Sequence, residues 1–269
     1  MTSPLPLVIA IEANIGAGKT TQIERLQELF KDNDRIIVLP EPVKEWVEQG
    51  FLQEMYDNPD NPWLLGSFQH MVLMSLAGDL LKALARNPTP AVIITERSPW
   101  GNYHIFGKAN LTGTPMAMYH HTWERILGGL PSELEPKYVY LETTVPAIVK
   151  RMKVRGREAE ANVPRAYLEK LDKLHEDFIW KETVHHAVIA GNEDEETVWE
   201  ELCVALKGWF DEAGETFKEQ RRVDRSTAEL HKNLTVMIRC AQDASEALAQ
   251  QSPEERAKKR LKVEPVPCA

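Results

Sequence analysis

The 269-residue sequence predicts an α/β fold, a five-stranded parallel sheet flanked by helices, followed by a C-terminal helical extension. Two observations carry this expectation. Five short apolar runs, Leu7–Ile11, Ile36–Leu39, Ala91–Thr95, Tyr138–Leu141 and Val184–Ala190, are separated by longer stretches with helical spacing. That is the rhythm of parallel strands joined by crossover helices. The first run also passes through a glycine-rich turn straight into an amphipathic stretch, as a strand–loop–helix unit does.

Leu7-Val8-Ile9-Ala10-Ile11 reads as a strand buried on both faces, because its apolar residues do not alternate with polar ones. Thr21 to Phe30 places Ile23, Leu26, Leu29 and Phe30 at helix spacing. The second strand runs into Pro40-Glu41-Pro42-Val43-Lys44-Glu45-Trp46. Pro62 to Asn87 is long and apolar, and reads as a buried helix or a broken helical pair. Within it Gln69 stands out, since an amide inside an apolar stretch needs a hydrogen-bond partner. The third strand ends in Thr95-Glu96-Arg97-Ser98-Pro99-Trp100. Beyond Glu193, Trp199, Leu202, Leu206, Trp209 and Phe210 mark one amphipathic helix, and Ser226 to Gln251 a second, weakly apolar helical stretch. The expected organisation is a domain over 1–192, a helical extension over 193–250, and a disordered basic and proline-rich tail over 251–269.

Composition narrows the function. A net charge of −9 disfavours direct nucleic-acid binding, which requires a basic surface. A membrane role is not expected either, and Met-Thr-Ser-Pro-Leu-Pro offers neither a basic n-region nor a long apolar run. The expected location is intracellular and cytoplasmic, with Lys258-Lys259-Arg260-Leu261-Lys262 as a nuclear-import candidate or, more simply, a solvated tail. Cys203, Cys240 and Cys268 are too sparse for a disulfide framework, and the adjacent pairs His120-His121 and His185-His186 lack metal-ligand spacing.

The turn after the first strand carries the sharpest motif. Asn14-Ile15-Gly16-Ala17-Gly18-Lys19-Thr20-Thr21 matches a phosphate-binding loop, except that Ala13 stands where G-x-x-x-x-G-K-[ST] begins with glycine. In such a loop backbone N–H groups cradle phosphates, the lysine reaches the β/γ-phosphates, and the Thr20 hydroxyl ligates Mg²⁺. Ligand crevices of open parallel sheets lie beyond the carboxyl ends of the strands, where Glu41, Glu96 and Arg97 also fall. Glu41 suits a proton acceptor, Arg97 a stabiliser of phosphoryl charge, and Glu96 a metal support. A separate positive cluster, Arg151, Lys153, Arg155 and Arg157, suits a lid over phosphates in this otherwise acidic chain.

Taken together, Asn14-Ile15-Gly16-x-Gly18-Lys19-Thr20, Glu41-Pro42-Val43 with Trp46, Phe68-Gln69, Glu96-Arg97-Ser98, Arg155-Gly156-Arg157 and Tyr167-Leu168 leading into Leu174-His175-Glu176-Asp177 resemble the deoxynucleoside kinase family. That family includes deoxycytidine, deoxyguanosine and mitochondrial thymidine kinases and the insect multisubstrate enzyme. The resemblance covers about Leu7 to Ile189 and implies a P-loop kinase fold, a homodimer, and ATP- and Mg²⁺-dependent phosphorylation of a deoxynucleoside 5′-hydroxyl. It implies that Glu41 is the base, with Arg97 beside it and Glu96 supporting Mg²⁺. Gln69 then pairs with the nucleobase, Trp46 and Phe106 shape and stack on it, and Tyr56 and Glu160 hold the 3′-hydroxyl. Arg151 is expected near the adenine of ATP, with Arg155 and Arg157 in the lid.

Relatives that favour deoxycytidine or purines resemble one another in an arginine near position 76 and an aspartate near 102. This chain has Leu76 and Asn102. An apolar wall of Val72 and Leu76 tolerates a thymine methyl, so the expectation leans to thymidine and other deoxypyrimidines, with Asn102 leaving deoxycytidine open. Two rival readings exist. Gly18-Lys-Thr-Thr-Gln22 also resembles thymidylate kinase, although Leu39-Pro-Glu-Pro-Val43 lacks that family's arginine. Ala13 allows a catalytically silent structural relative.

Overall fold

The computed structural model describes residues 5–86 and 90–214. The second helical stretch, the basic cluster at 258–262, the tail, Cys240 and Cys268 lie outside these residues. Strands β1 (Leu7–Glu12), β2 (Ile36–Leu39), β3 (Val92–Glu96), β4 (Lys137–Glu142) and β5 (His186–Ala190) form one sheet in the order β2-β3-β1-β4-β5. Every neighbouring pair is parallel, with Ile9 opposite Ile94 and Ile11 opposite Val139.

Side-chain alternation sorts the sheet into two cores. Ile9, Ile11, Ile94, Val139 and Leu141 point to one face, where they meet Ile23, Leu26 and Phe30 of α1 (Lys19–Phe30). Val8 and Ile93 point to the other, as do Ala10, Tyr138 and Tyr140. Helices α2 (Val43–Glu48), α3 (Phe51–Asp57) and α4 (Pro62–Leu84) follow β2. α4 is one unbroken helix. It starts at Asn61, whose side chain accepts from the Leu64 N–H at 3.1 Å, with Pro62 in the first turn, where no N–H is needed. By length and composition it would pass for a membrane span, yet half of that stretch is buried inside the fold.

After β3 the chain turns through α5 (Pro99–Gly101), a π-helical segment over Asn102–Gly107, and α6 (Lys108–Asn110), before α7 (Gly113–Leu127) packs along α4. α8 (Val145–Arg155) follows β4, and α9 (Arg165–Lys181) precedes β5. The last described helix, α10 (Glu195–Glu212), is capped by Asp194, which accepts from the N–H groups of Glu196 and Thr197 at 3.0 Å. Its apolar face, including Val198, Leu202, Leu206 and Phe210, joins the core of β1 and α1, and Phe210 stacks on Phe30 at 5.7 Å. The first helix of the expected extension thus shares the core of the sheet, because its apolar stripe is buried there.

Candidate active site

The carboxyl edge of the sheet brings β1, β2 and β3 together around the glycine-rich loop. Gly16 (φ 76°) and Gly18 (φ 105°) supply the left-handed backbone that turns the loop into α1. Ala13 has no positive φ, is fully buried, and packs in the α1 core. The residue that breaks the motif thus sits where a methyl group is accommodated. Asn14 braces the loop: its Nδ2 donates to the Leu168 carbonyl at 2.9 Å, and its Oδ1 accepts from Ile15 N–H at 2.8 Å.

Lys19 is buried and donates to the carbonyls of Ala13 and Asn14, both at 3.1 Å. Burial, and then the Arg97 charge, lower its pKa to about 8 against the pull of Glu41, Glu96 and Glu12. Thr20 Oγ1 donates to Glu96 Oε1 at 2.7 Å, while Glu96 Oε2 accepts from the Glu41 N–H at 3.1 Å. One carboxylate therefore ties the loop to the end of β2.

Arg97 is the centre of the arrangement. Among the described residues it alone, apart from glycines, has a positive φ, 65°. Such strain persists only where the surroundings enforce it. Its Nε donates to both Glu41 oxygens at 3.0 and 3.1 Å, its Nη1 donates to the Ala13 carbonyl at 3.0 Å, and its guanidinium lies 4.4 Å from the Phe106 ring centre. Behind it, fully buried Glu12 stands 3.6 Å from Nη1 and accepts from Ser98 N–H and Oγ at 2.9 and 3.0 Å. Burial raises the Glu41 and Glu12 pKa values, with Arg97 opposing both shifts.

A cleft opens from this edge. Ile15, Gly16, Lys19 and Thr20 of the loop line it together with Glu41, Glu96 and Arg97. Trp46, Tyr56, Gln69, Val72, Asn102 and Phe106 line it as well. The remaining wall includes Arg155, Arg157 and Glu160. Both arginines pair with Glu160, Arg157 at 2.5 Å, and Gly156 (φ 64°) turns the chain between them at the end of α8.

Six expected site residues do not line the cleft. Asn14, Ala17, Gly18 and Thr21 shape the loop or begin α1. Arg151 donates to the Ala17 carbonyl at 3.0 Å and to the Glu193 carbonyl at 3.3 Å, braced across the outside of the loop. Leu76 is buried in the α4 core, one turn past Val72, so the expected apolar wall consists of Val72 without it.

The cleft also uses residues the sequence reading left unassigned, namely Val43, Leu52, Met55, Phe68 and Tyr167. Tyr167 meets the Tyr56 ring nearly edge-on at 6.4 Å. Glu12 and Ser98 support Arg97 from behind, and His175 packs edge-on against Phe106 at 6.0 Å. Burial lowers the His175 pKa to about 3, so this prop is a neutral ring. Glu12 had a signal, a carboxylate closing an apolar strand, but strand-end charges are ordinary.

The family described as deoxynucleoside kinase matches residues 9–207. The chain belongs to the deoxynucleoside kinase family. Its match continues through most of α10, as the shared core does. Among similar proteins, deoxycytidine kinase 1 of Xenopus laevis is 31% identical over 208 residues, 65% of this chain and 75% of the relative. Deoxycytidine kinase 2 of Gallus gallus is 29% identical over 205 residues, again 65% and 75%. Mitochondrial thymidine kinase 2 of Homo sapiens is 29% identical over 182 residues, 65% of this chain and 64% of that protein. This deoxynucleoside kinase is therefore a phosphotransferase with the P-loop kinase fold, acting on a small molecule.

Proposed function

We propose that this kinase transfers the γ-phosphoryl group of ATP to the 5′-hydroxyl of deoxypyrimidine nucleosides. The observation that carries the reading is the Glu41–Arg97 pair, held between a phosphate loop and an apolar, amide-bearing pocket. Glu41 takes the proton of the attacking hydroxyl, and Arg97 stabilises charge on the transferring group. Lys19 supplies positive charge at the loop. Arg155 and Arg157 exchange Glu160 for phosphate oxygens as the lid closes, leaving Glu160 and Tyr56 for the 3′-hydroxyl.

The donor set fits Mg²⁺. Thr20 Oγ1 and Glu96 Oε1, now hydrogen-bonded at 2.7 Å, would hold it, and both are the hard oxygen donors this ion prefers. When bound, Mg²⁺ neutralises charge on the triphosphate. The lean to thymidine rested on Leu76 and Asn102 standing where deoxycytidine- and purine-selective relatives have an arginine and an aspartate, with Val72 and Leu76 as an apolar wall; Val72 lines the cleft and Leu76 is buried beside it. The reading is accordingly pyrimidine deoxynucleosides as a class, thymidine and deoxycytidine both included.

A homodimer belongs to the same proposal. Trp63, Met74 and Leu81 on α4 and Met118 on α7 are exposed, an apolar surface that a second copy would cover. Against a thymidylate kinase stands Glu41, since a carboxylate repels a phosphate acceptor. A coupled ATP assay with thymidine, deoxycytidine and thymidylate in parallel tests the reading. Turnover of the nucleosides is expected, and turnover of thymidylate alone would reverse the assignment.

A further inference from the structure

Glu12 closes β1 and, although fully buried, takes no part in the chemistry assigned above. A carboxylate shut off from water is costly unless it is hydrogen-bonded or paired with a charge. The contacts of Glu12 lead to Arg97 and to the residue after it. Its Oε1 accepts from the Ser98 N–H at 2.9 Å and from Ser98 Oγ at 3.0 Å. Its Oε2 has no hydrogen-bond partner among the described residues and stands 3.6 Å from Arg97 Nη1.

The backbone at Arg97 gives these contacts a purpose. A φ of 65° in a residue with a side chain relaxes unless its neighbours forbid it. Here β1 supplies the neighbours. The Ile11 carbonyl accepts from the Arg97 N–H at 3.1 Å, and the Glu12 carboxylate takes the next N–H along the chain. Ser98 is fixed from its other side, since its Oγ accepts from the Gly101 N–H at 2.8 Å. The carboxylate is seated against Gly101, where a Cβ would lie only 2.0 Å from Oε1. The guanidinium is thereby set between two carboxylates: Nε donates to Glu41, and Nη1 donates to the Ala13 carbonyl while facing Glu12. A return of Arg97 to negative φ would redirect its Cβ and carry the guanidinium off Glu41.

Resting on the kinase reading above, we infer that Glu12 is a positioning residue for phosphoryl transfer, which holds Arg97 in its left-handed turn and its guanidinium against Glu41. Glu12 does not line the cleft and acts through Arg97. Glutamine in its place would keep an oxygen for Ser98 but turn an amide NH₂ toward Arg97 Nη1, donor against donor.

A double-mutant cycle separates positioning from structural support. Glu12→Gln should lower kcat for thymidine and deoxycytidine roughly tenfold or more in the otherwise wild-type enzyme. In an Arg97→Gln background the same substitution should change kcat by less than about twofold, because the residue it serves is gone. A purely structural role would lower both backgrounds alike. Unfolding midpoints are measured for all four proteins. Ser98→Ala serves if Glu12→Gln fails to fold: it removes one of the two bonds to Oε1 and should follow the same pattern, with a loss of roughly fivefold. A folded variant with near-wild-type kcat, or an equal loss in both backgrounds, would overturn the inference alone. Absence of turnover of either nucleoside by the wild-type enzyme would overturn the kinase reading and the inference with it.

Discussion

Arg97 and Glu41 are two charges that each make the other usable. Burial pushes the Glu41 pKa up, the Arg97 charge pulls it down, and in the proposed role of base Glu41 must be deprotonated to work. Activity therefore falls as pH falls through the Glu41 pKa. Arg97→Gln removes the opposing charge, so that pKa rises further and the acid limb of kcat/KM moves to higher pH, with kcat reduced roughly hundredfold or more. An acid limb that stayed in place would separate the limb from Glu41. These two residues were legible in the sequence because they close apolar strands at the edge where the phosphate loop emerges. Leu76, one helical turn past Val72 on the same face of α4, is buried in the cluster that holds Val72 and does not line the cleft. Ala13 was legible only as a broken motif. Its ordinary φ and packed methyl group depend on the neighbouring core, which no spacing rule contains.

Among the elements, the strands were the easiest to read, since five apolar runs with helical spacers leave little freedom in an α/β chain. The unbroken α4 and the burial of α10 were less so. Continuity of a long apolar helix depends on what it packs against, and α10 has an amphipathic stripe whose target is invisible in sequence. The short helical run after β3 was not legible at all, because a single π-helical segment has no sequence period of its own. Its entry is nonetheless specified by close packing. A Cβ at Gly101 would sit 2.0 Å from Glu12 Oε1, against a carboxylate already held by Ser98. Gly101→Ala should therefore cost about 1–3 kcal/mol in a denaturant titration, and lower kcat as Glu12 shifts behind Arg97. Wild-type stability in that variant would show that Glu12 is free to move aside.

At the scale of the whole molecule, an acidic chain of net charge −9 concentrates positive side chains where a polyanion would lie. Lys19, Arg97, Arg155 and Arg157 line one cleft, and each of these cations has its charge or hydrogen bonds met by protein groups. Phosphoryl transfer asks mainly for positioned charge and a proton acceptor, and this cleft supplies both. The most direct test is ATP-dependent formation of the nucleoside 5′-monophosphate by wild type and Glu41→Gln, with product identified by mass and unfolding midpoints measured alongside. Glutamine keeps an oxygen to accept from Arg97 Nε but not the basicity. The expected result is a kcat lower by roughly 10²- to 10⁴-fold with a folded protein. A folded Glu41→Gln enzyme that makes the 5′-monophosphate at near-wild-type kcat would contradict the account.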